Sequence, residues 1–268
     1  MKIALMTDME GVAGVLDFEN WCYPDGRYFQ IGREFLTLEA NAAIGGFFDA
    51  GATEVMVIDG HGYGGINPKL LDSRAEFCKY FGAWPYGVDE TFDAVAWVGQ
   101  HPRSRTEFGH LSHTQWPNFL EIAVNGMPIG ELGQFALCAS ELGVRAIFAS
   151  GDLALTKEAQ ALLPGIETVA VKRGTTAGTG DDLPGKAYEK RNLGAIHLSP
   201  ERARNLIAEG AFKAVKRAQN ESFGLIDLKP PFERVTTFRP EELKPKRVSV
   251  ETHPTSVIAL LNTAYAAR

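Results

Sequence analysis

The sequence predicts an α/β protein of three layers, with helices on both faces of a mostly parallel or mixed central sheet and room for a small inserted or appended lobe. Two observations carry this. Short apolar runs recur near residues 3–6, 54–59, 94–99, 145–150 and 167–172, several of them ending in glycine or acidic residues. Helical periodicity fills several of the intervals, and strands alternating with helices imply a sheet covered on both sides.

At 268 residues, 45% hydrophobic and 22% charged, the chain suits a single α/β domain over 1–268. It contains no internal repeat and no long linker. Lys plus Arg number 27 against 33 Asp plus Glu, a net charge of −6 without a basic cluster, which argues against nucleic acid or an anionic membrane as partner. No apolar window of roughly 18 residues predicts a membrane span. Cys22, Cys78 and Cys138 are widely spaced, none in a CxxC pair, which fits a reducing compartment. With no signal-peptide pattern at the start, a cytoplasmic protein is expected.

The first strand, Ile3 to Met6, runs into Thr7-Asp8-Met9-Glu10-Gly11. If the strand persists, Asp8 and Glu10 point the same way at its carboxyl edge. Paired carboxylates repel, so the pair calls for a cation. Val15 to Arg27 reads as a loop over the strand ends, and Ile31 to Ala50 as a helix stopped by Gly51. The strand Glu54–Asp59 exits into Gly60-His61-Gly62. Between Asn67 and Asp93, Leu71, Phe77, Tyr80 and Phe81 suggest a helix and turn. The strand Ala94–Gly99 exits into Gln100-His101, followed by a polar excursion, Pro102 to Pro117. Phe119–Val124, the turn signal Asn125-Gly126 and Met127–Ile129 predict a hairpin. Glu131 then opens a helix to about Leu142. Arg145–Ser150 and Glu167–Lys172 are strands, with a helix over Lys157–Leu163 between them. Gly174 to Gly185 lacks apolar period and reads as a mobile loop or an oligomer-contact insertion reaching residue 190. Ser199-Pro200 starts a helix to about Asn220. Short strands follow up to Pro245, then a strand at Arg247–Thr252 and a closing helix over Pro254–Arg268.

Asp8, Glu10, His61 and His101 all follow strand exits, and Glu131 begins a helix. Ligands of open α/β sheets bind beyond the carboxyl ends of strands, so these five residues are expected to converge. Three carboxylates and two imidazoles suit zinc, manganese or cobalt. One ion satisfies His61, His101 and a single carboxylate. Two divalent ions balance three carboxylates plus a hydroxide, with Asp8 as the bridging carboxylate.

The segments Thr7–Gly11, Asp59-Gly60-His61, Gly99-Gln100-His101, Ser112-His113 and Asn125–Gly133 resemble the zinc-dependent D-aminopeptidase family, the DppA-like proteins associated with dipeptide transport. The resemblance covers most of the first 170 residues and weakens from about Lys213. It implies a two-zinc centre at Asp8, Glu10, His61, His101 and Glu131, and a catalytic role for His113. It also implies an α/β fold, a ring-shaped homo-oligomer such as a decamer, and hydrolysis of short peptides at the amino end with D-residue preference. The segment between His101 and His113 is one residue longer than the family pattern, which makes His110 a competitor for the catalytic position.

The expected mechanism is metal-assisted amide hydrolysis, with His113 passing a proton to the leaving amine or stabilising the oxyanion. Arg103 and Arg105 are candidates to bind a substrate carboxylate. The rival readings are a two-metal hydrolase of a phosphate ester or another amide, and a metal-stabilised peptide-binding component of a transporter.

Overall fold

The structure, a computed structural model, describes residues 1–79, 82–241 and 245–266. Seven strands form the main sheet: β1 (Lys2–Thr7), β2 (Glu54–Asp59), β3 (Glu76–Cys78), β4 (Ala94–Gln100), β7 (Arg145–Asp152), β8 (Glu167–Gly174) and β9 (Ala195–His197). Their spatial order is β3-β2-β1-β4-β7-β8-β9, parallel throughout except for β9, which pairs antiparallel with β8. Order reverses beside β1: one connection leads outward to β2, and the later chain returns to β4 on the other side. That switch point opens a crevice above the ends of β1, β2 and β4.

Period-two side chains explain the layers. From β1, Ile3 and Leu5 face a core shared with α1 (Phe29–Asp49) and α5 (Pro200–Ala218), whereas Ala4 and Met6 face the opposite core. Residues Leu132, Phe135, Ala136 and Ala139 of α2 (Glu131–Glu141) fill that second core, together with Leu155 and Ala159 of α3 (Leu153–Leu162). The remaining strands, β5 (Phe119–Val124), β6 (Met127–Ile129), β10 (Phe232–Phe238) and β11 (Arg247–His253), make a separate antiparallel sheet ordered β11-β10-β5-β6. Leu137 and Cys138 from the other side of α2 join its core with α6 (Val257–Asn262). Helix α2 is therefore buried between two sheets, and its first residue is held firmly in place.

Several local expectations are corrected. The helix expected within Asn67–Asp93 is replaced by β3, a three-residue edge strand pairing with Met56–Ile58; Tyr80 and Phe81 lie outside the described residues. The Val15–Arg27 loop contains a π-helical turn, Phe18–Cys22, capped by Asp17. The α3 helix starts at Leu153, four residues early, because the Asp152 side chain caps the Ala154 N–H. The closing helix is confined to Val257–Asn262, and Ala267 and Arg268 lie outside the described residues, as do Glu242 to Lys244. Residues 174–190 include a short helix, α4 (Gly185–Glu189).

Candidate metal centre

Strand β1 stops at Thr7, and the chain turns at Met9 to Gly11 instead of continuing. Asp8 and Glu10 still converge, because the turn packs tightly on the exit of β4. The Asp8 N–H donates to Val98 O at 3.0 Å and the Gly11 N–H to Gly99 O at 2.6 Å. Gly99 makes this approach possible: its φ is +74°, and a Cβ there would lie 2.0 Å from Asp8 O. Gly60 plays the same part at the exit of β2, where a Cβ would meet Met6 Sδ at 2.5 Å.

The five expected residues come together, and all are buried except Glu131, which is half-buried. His61 Nδ1 lies 3.2 Å from Asp8 Oδ1 and 3.3 Å from Glu10 Oε2. His101 Nε2 lies 3.3 Å from Asp8 Oδ2 and 3.5 Å from Glu131 Oε1. Asp8 thus presents one oxygen to each imidazole. Glu131, in the first turn of α2, sits where the helix dipole favours negative charge. His113 joins the second group, its Nε2 4.0 Å from Glu131 Oε1 and its ring stacked on His101 at 3.9 Å. Two clusters result, Asp8–Glu10–His61 and His101–His113–Glu131, the ligand atoms of each lying within 4.8 Å of one another.

Each imidazole is oriented by a backbone carbonyl. His61 Nε2–H donates to Cys22 O at 2.8 Å, His101 Nδ1–H to Pro102 O at 3.0 Å, and His113 Nδ1–H to Leu111 O at 3.0 Å. A carbonyl only accepts, so these nitrogens carry the protons and the inward-facing nitrogens of the neutral rings carry lone pairs. Glu10 Oε2 and His101 Nε2 are buried with no hydrogen-bond partner among the described residues. Oriented lone pairs, buried carboxylates and orphaned acceptors make a donor set that fits divalent cations of the zinc type.

The electrostatics agree. Burial works to raise the Asp8 pKa, but the facing imidazoles of His101 and His61, when they take up protons, outweigh it and hold the carboxyl well below its usual range. Burial opposes charge on His61 and His101 as well. Even so, Glu10 with Asp8 pushes His61 well up, and Glu131 with Asp8 does the same for His101. For His113, burial and then the charge on His101 depress the pKa. The carboxylates therefore demand positive charge, which protons on two imidazoles or metal ions can supply.

His110 is placed apart from this site. Its Nε2 donates to Leu16 O at 3.1 Å, its ring edges His197 at 5.3 Å, and burial pushes its pKa down to about 2. Neither arginine lines the metal cavity. Arg105 is committed to Asp181, with bonds of 3.0 and 2.8 Å, and to Glu121 at 2.5 Å. Arg103 lines a separate cavity of about 740 Å³ between α3 and the 103–108 loop.

Residues not anticipated from the sequence support the ligands. Lys172, buried on β8, donates from Nζ to the carbonyls of Glu10, Val12 and Val15, fixing the turn that carries Glu10. Glu39 accepts the Ala13 N–H at 3.0 Å in the same turn. Tyr188 OH accepts the Arg105 N–H at 3.0 Å and bonds Ser112 Oγ at 2.9 Å, bracing the loop that returns His113 to His101. That loop holds Arg105, Phe108, Leu111 and Gln115 at positive φ, a strain that surrounding structure must offset. Lone polar residues inside apolar strands, such as Lys172, were the one available sequence signal.

Asp8, Glu10, His61, His113 and Glu131 open onto a cavity of about 280 Å³. Known proteins share this fold. A D-aminopeptidase of Bacillus subtilis (strain 168) is 33% identical over 178 residues, 65% of this chain and 64% of that protein, so the match spans just under two thirds of its length. The fold superposes on the solved zinc-dependent D-aminopeptidase DppA from Bacillus subtilis, described as a self-compartmentalizing protease, with a TM-score of 0.81 at 24% identity, covering 97% of this chain and 94% of that one. Residues 1–243 match the family model for peptidase M55, D-aminopeptidase, and the chain belongs to that family.

Proposed function

We propose that the protein is a zinc-dependent D-aminopeptidase that hydrolyses the first amide bond of short peptides at a two-metal centre. Asp8 carries the reading: its two oxygens lie 3.2 and 3.3 Å from imidazoles belonging to different ligand clusters, the arrangement of a bridging carboxylate. Glu10 and His61 would hold one ion, and His101 and Glu131 the other. Bound there, two zinc ions supply a nucleophile from water at neutral pH and polarise the scissile carbonyl.

The protein contributes orientation and proton handling. His113 lines the cavity whereas His101 does not, so Nε2 of His113 is the imidazole nitrogen available to a leaving amine. Burial keeps His113 neutral, so its inward Nε2 carries a lone pair that can take up a proton. Aromatic side chains line the cavity beside these groups. A homo-oligomeric ring is the assembly proposed, because the solved relative is described as self-compartmentalizing.

The deciding experiment combines metal content per chain with turnover of D-alanine p-nitroanilide, its L-isomer and a phosphate ester, before and after EDTA and zinc re-addition. Two zinc ions per chain and EDTA-sensitive cleavage of the D-anilide are expected. Cleavage of the phosphate ester alone would replace this reading by a phosphoesterase.

A further inference from the structure

The cavity above the metal centre is walled by rings. Phe18, Tyr23, Tyr63, Trp84, Tyr86 and Trp116 line it together with Pro117. Trp116 and Tyr63 keep about half of their surface exposed, at 52% and 49%, so their apolar area is open to a ligand. Four of these rings are also held by neighbours: Tyr23 and Tyr63 meet edge to face at 5.7 Å, Trp84 packs on Tyr86 at 4.6 Å, and Tyr23 OH is tied to Glu189 Oε1 at 2.8 Å. Such pre-set aromatic walls bind at little entropic cost.

The second observation is a chemical gap. Among the described residues no lysine or arginine lines this cavity. Arg105 is already paired with two carboxylates, and Arg103 faces another cavity. Three carboxylates against two divalent ions and a hydroxide leave the site near neutral. A substrate carboxylate, whether on a side chain or at the peptide's far end, would be desolvated against rings with no cationic partner. At about 280 Å³ the cavity is also slightly smaller than the roughly 300–1,000 Å³ of small-ligand sites, a size that suits one residue and its amide.

We infer that the preferred substrates carry an apolar or aromatic side chain on the amino-terminal residue, and that the peptide's terminal carboxylate is not recognised. This rests on the aminopeptidase reading and deepens it. Trp116 and Tyr63 are the specificity-determining residues, since they offer the largest open ring surface at the mouth.

The test uses the zinc-loaded protein and a matched panel: the amides of D-phenylalanine, D-leucine, D-alanine and D-glutamate, with D-Phe-Gly and D-Ala-Gly beside them. Turnover is measured by ninhydrin or ammonia release, and binding by calorimetric competition with the inactive His113→Gln variant. Phenylalanyl and leucyl compounds should exceed alanyl ones at least tenfold in kcat/KM and in affinity. Glutamyl compounds should be the poorest, and each dipeptide should match its amide within about threefold. Trp116→Ala and Tyr63→Ala should each shrink the phenylalanine-to-alanine ratio, a change that general loss of fold would not produce. The inference fails if alanyl or glutamyl compounds equal or surpass phenylalanyl ones, or if the dipeptides are strongly preferred to the amides. Binding in the expected order with no cleavage by the unmodified protein would sink the aminopeptidase reading and leave the pocket assignment intact.

Discussion

The imidazoles of His101 and His113 stack face to face, with centroids 3.9 Å apart and planes inclined by 16°. Two cations cannot share that geometry at low cost, so charge on one ring excludes it from the other. Glu131 and Asp8 draw positive charge, a proton or a metal ion, to the His101 side, and His113 stays neutral. One ring is thus suited to a metal and the other to moving protons.

This division predicts the behaviour of His113→Gln. The variant should keep two metal ions per chain while kcat falls about 10²–10⁴-fold, the usual contribution of a general acid–base group. Elemental analysis beside steady-state kinetics checks it. Loss of one ion per chain would make His113 a ligand of the His101–Glu131 cluster instead.

Asp8→Asn should remove more than one ion. Because each carboxylate oxygen faces a different imidazole, an amide in its place presents a nitrogen to one of them. We expect zinc content to fall toward zero and cleavage to drop by at least about 10³-fold, consistent with the several kcal/mol attributed to metal catalysis. Retention of one tightly held ion would argue against a bridging role.

Lys172→Met should act at a distance from the cavity. Three carbonyls lose a charged donor inside the core, about 1–3 kcal/mol for each group left unpaired. The melting temperature should drop, and zinc affinity should weaken more at the Glu10–His61 cluster than at the other. Stepwise zinc titration followed by calorimetry separates the two clusters.

Glu39 gives a pH dependence of definite sign. Burial raises its pKa to about 8 despite the Ala13 N–H bond and the Lys172 charge. A carboxyl raised in the folded state contributes stability that is complete below its unfolded value near 4.3 and is lost as pH rises through 8. The difference in melting temperature, Glu39→Gln minus unmodified protein, should therefore climb between pH 5 and pH 8.5. A flat difference across that range would mean that Glu39 titrates normally.

Arg105→Ala should leave KM for amides and dipeptides alike unchanged, since its guanidinium is spent on Asp181 and Glu121. Stability should fall by only about 1 kcal/mol, because all three side chains are partly exposed. A dipeptide-specific rise in KM would restore Arg105 as a carboxylate anchor.

The parallel sheet, the strand exits and the five clustered residues were legible from sequence because they follow from local rules. Apolar runs specify buried strands, glycines specify tight exits, and parallel strands of an open sheet deliver their exits to one edge. The edge strand Glu76–Cys78 was not legible: three residues carry too little periodicity, and its pairing with β2 is settled by tertiary contact. The same holds for the assembly of the separate antiparallel sheet: the hairpin over residues 119–129 and the strands within 232–253 lie more than 100 positions apart, and only folding pairs β5 with β10.

The sequence by itself determined which residues could bind a metal and at which edge of the sheet they gather. Only the tertiary structure decided how they act. The carbonyls of Cys22, Pro102 and Leu111 select the tautomers, Lys172 from a distant strand fixes the Glu10 turn, and Asp181 with Glu121 withdraws Arg105 from the substrate. Backbone carbonyls carry no residue identity, and a salt bridge across 76 positions leaves no local pattern. Both become visible only when the chain has folded on itself.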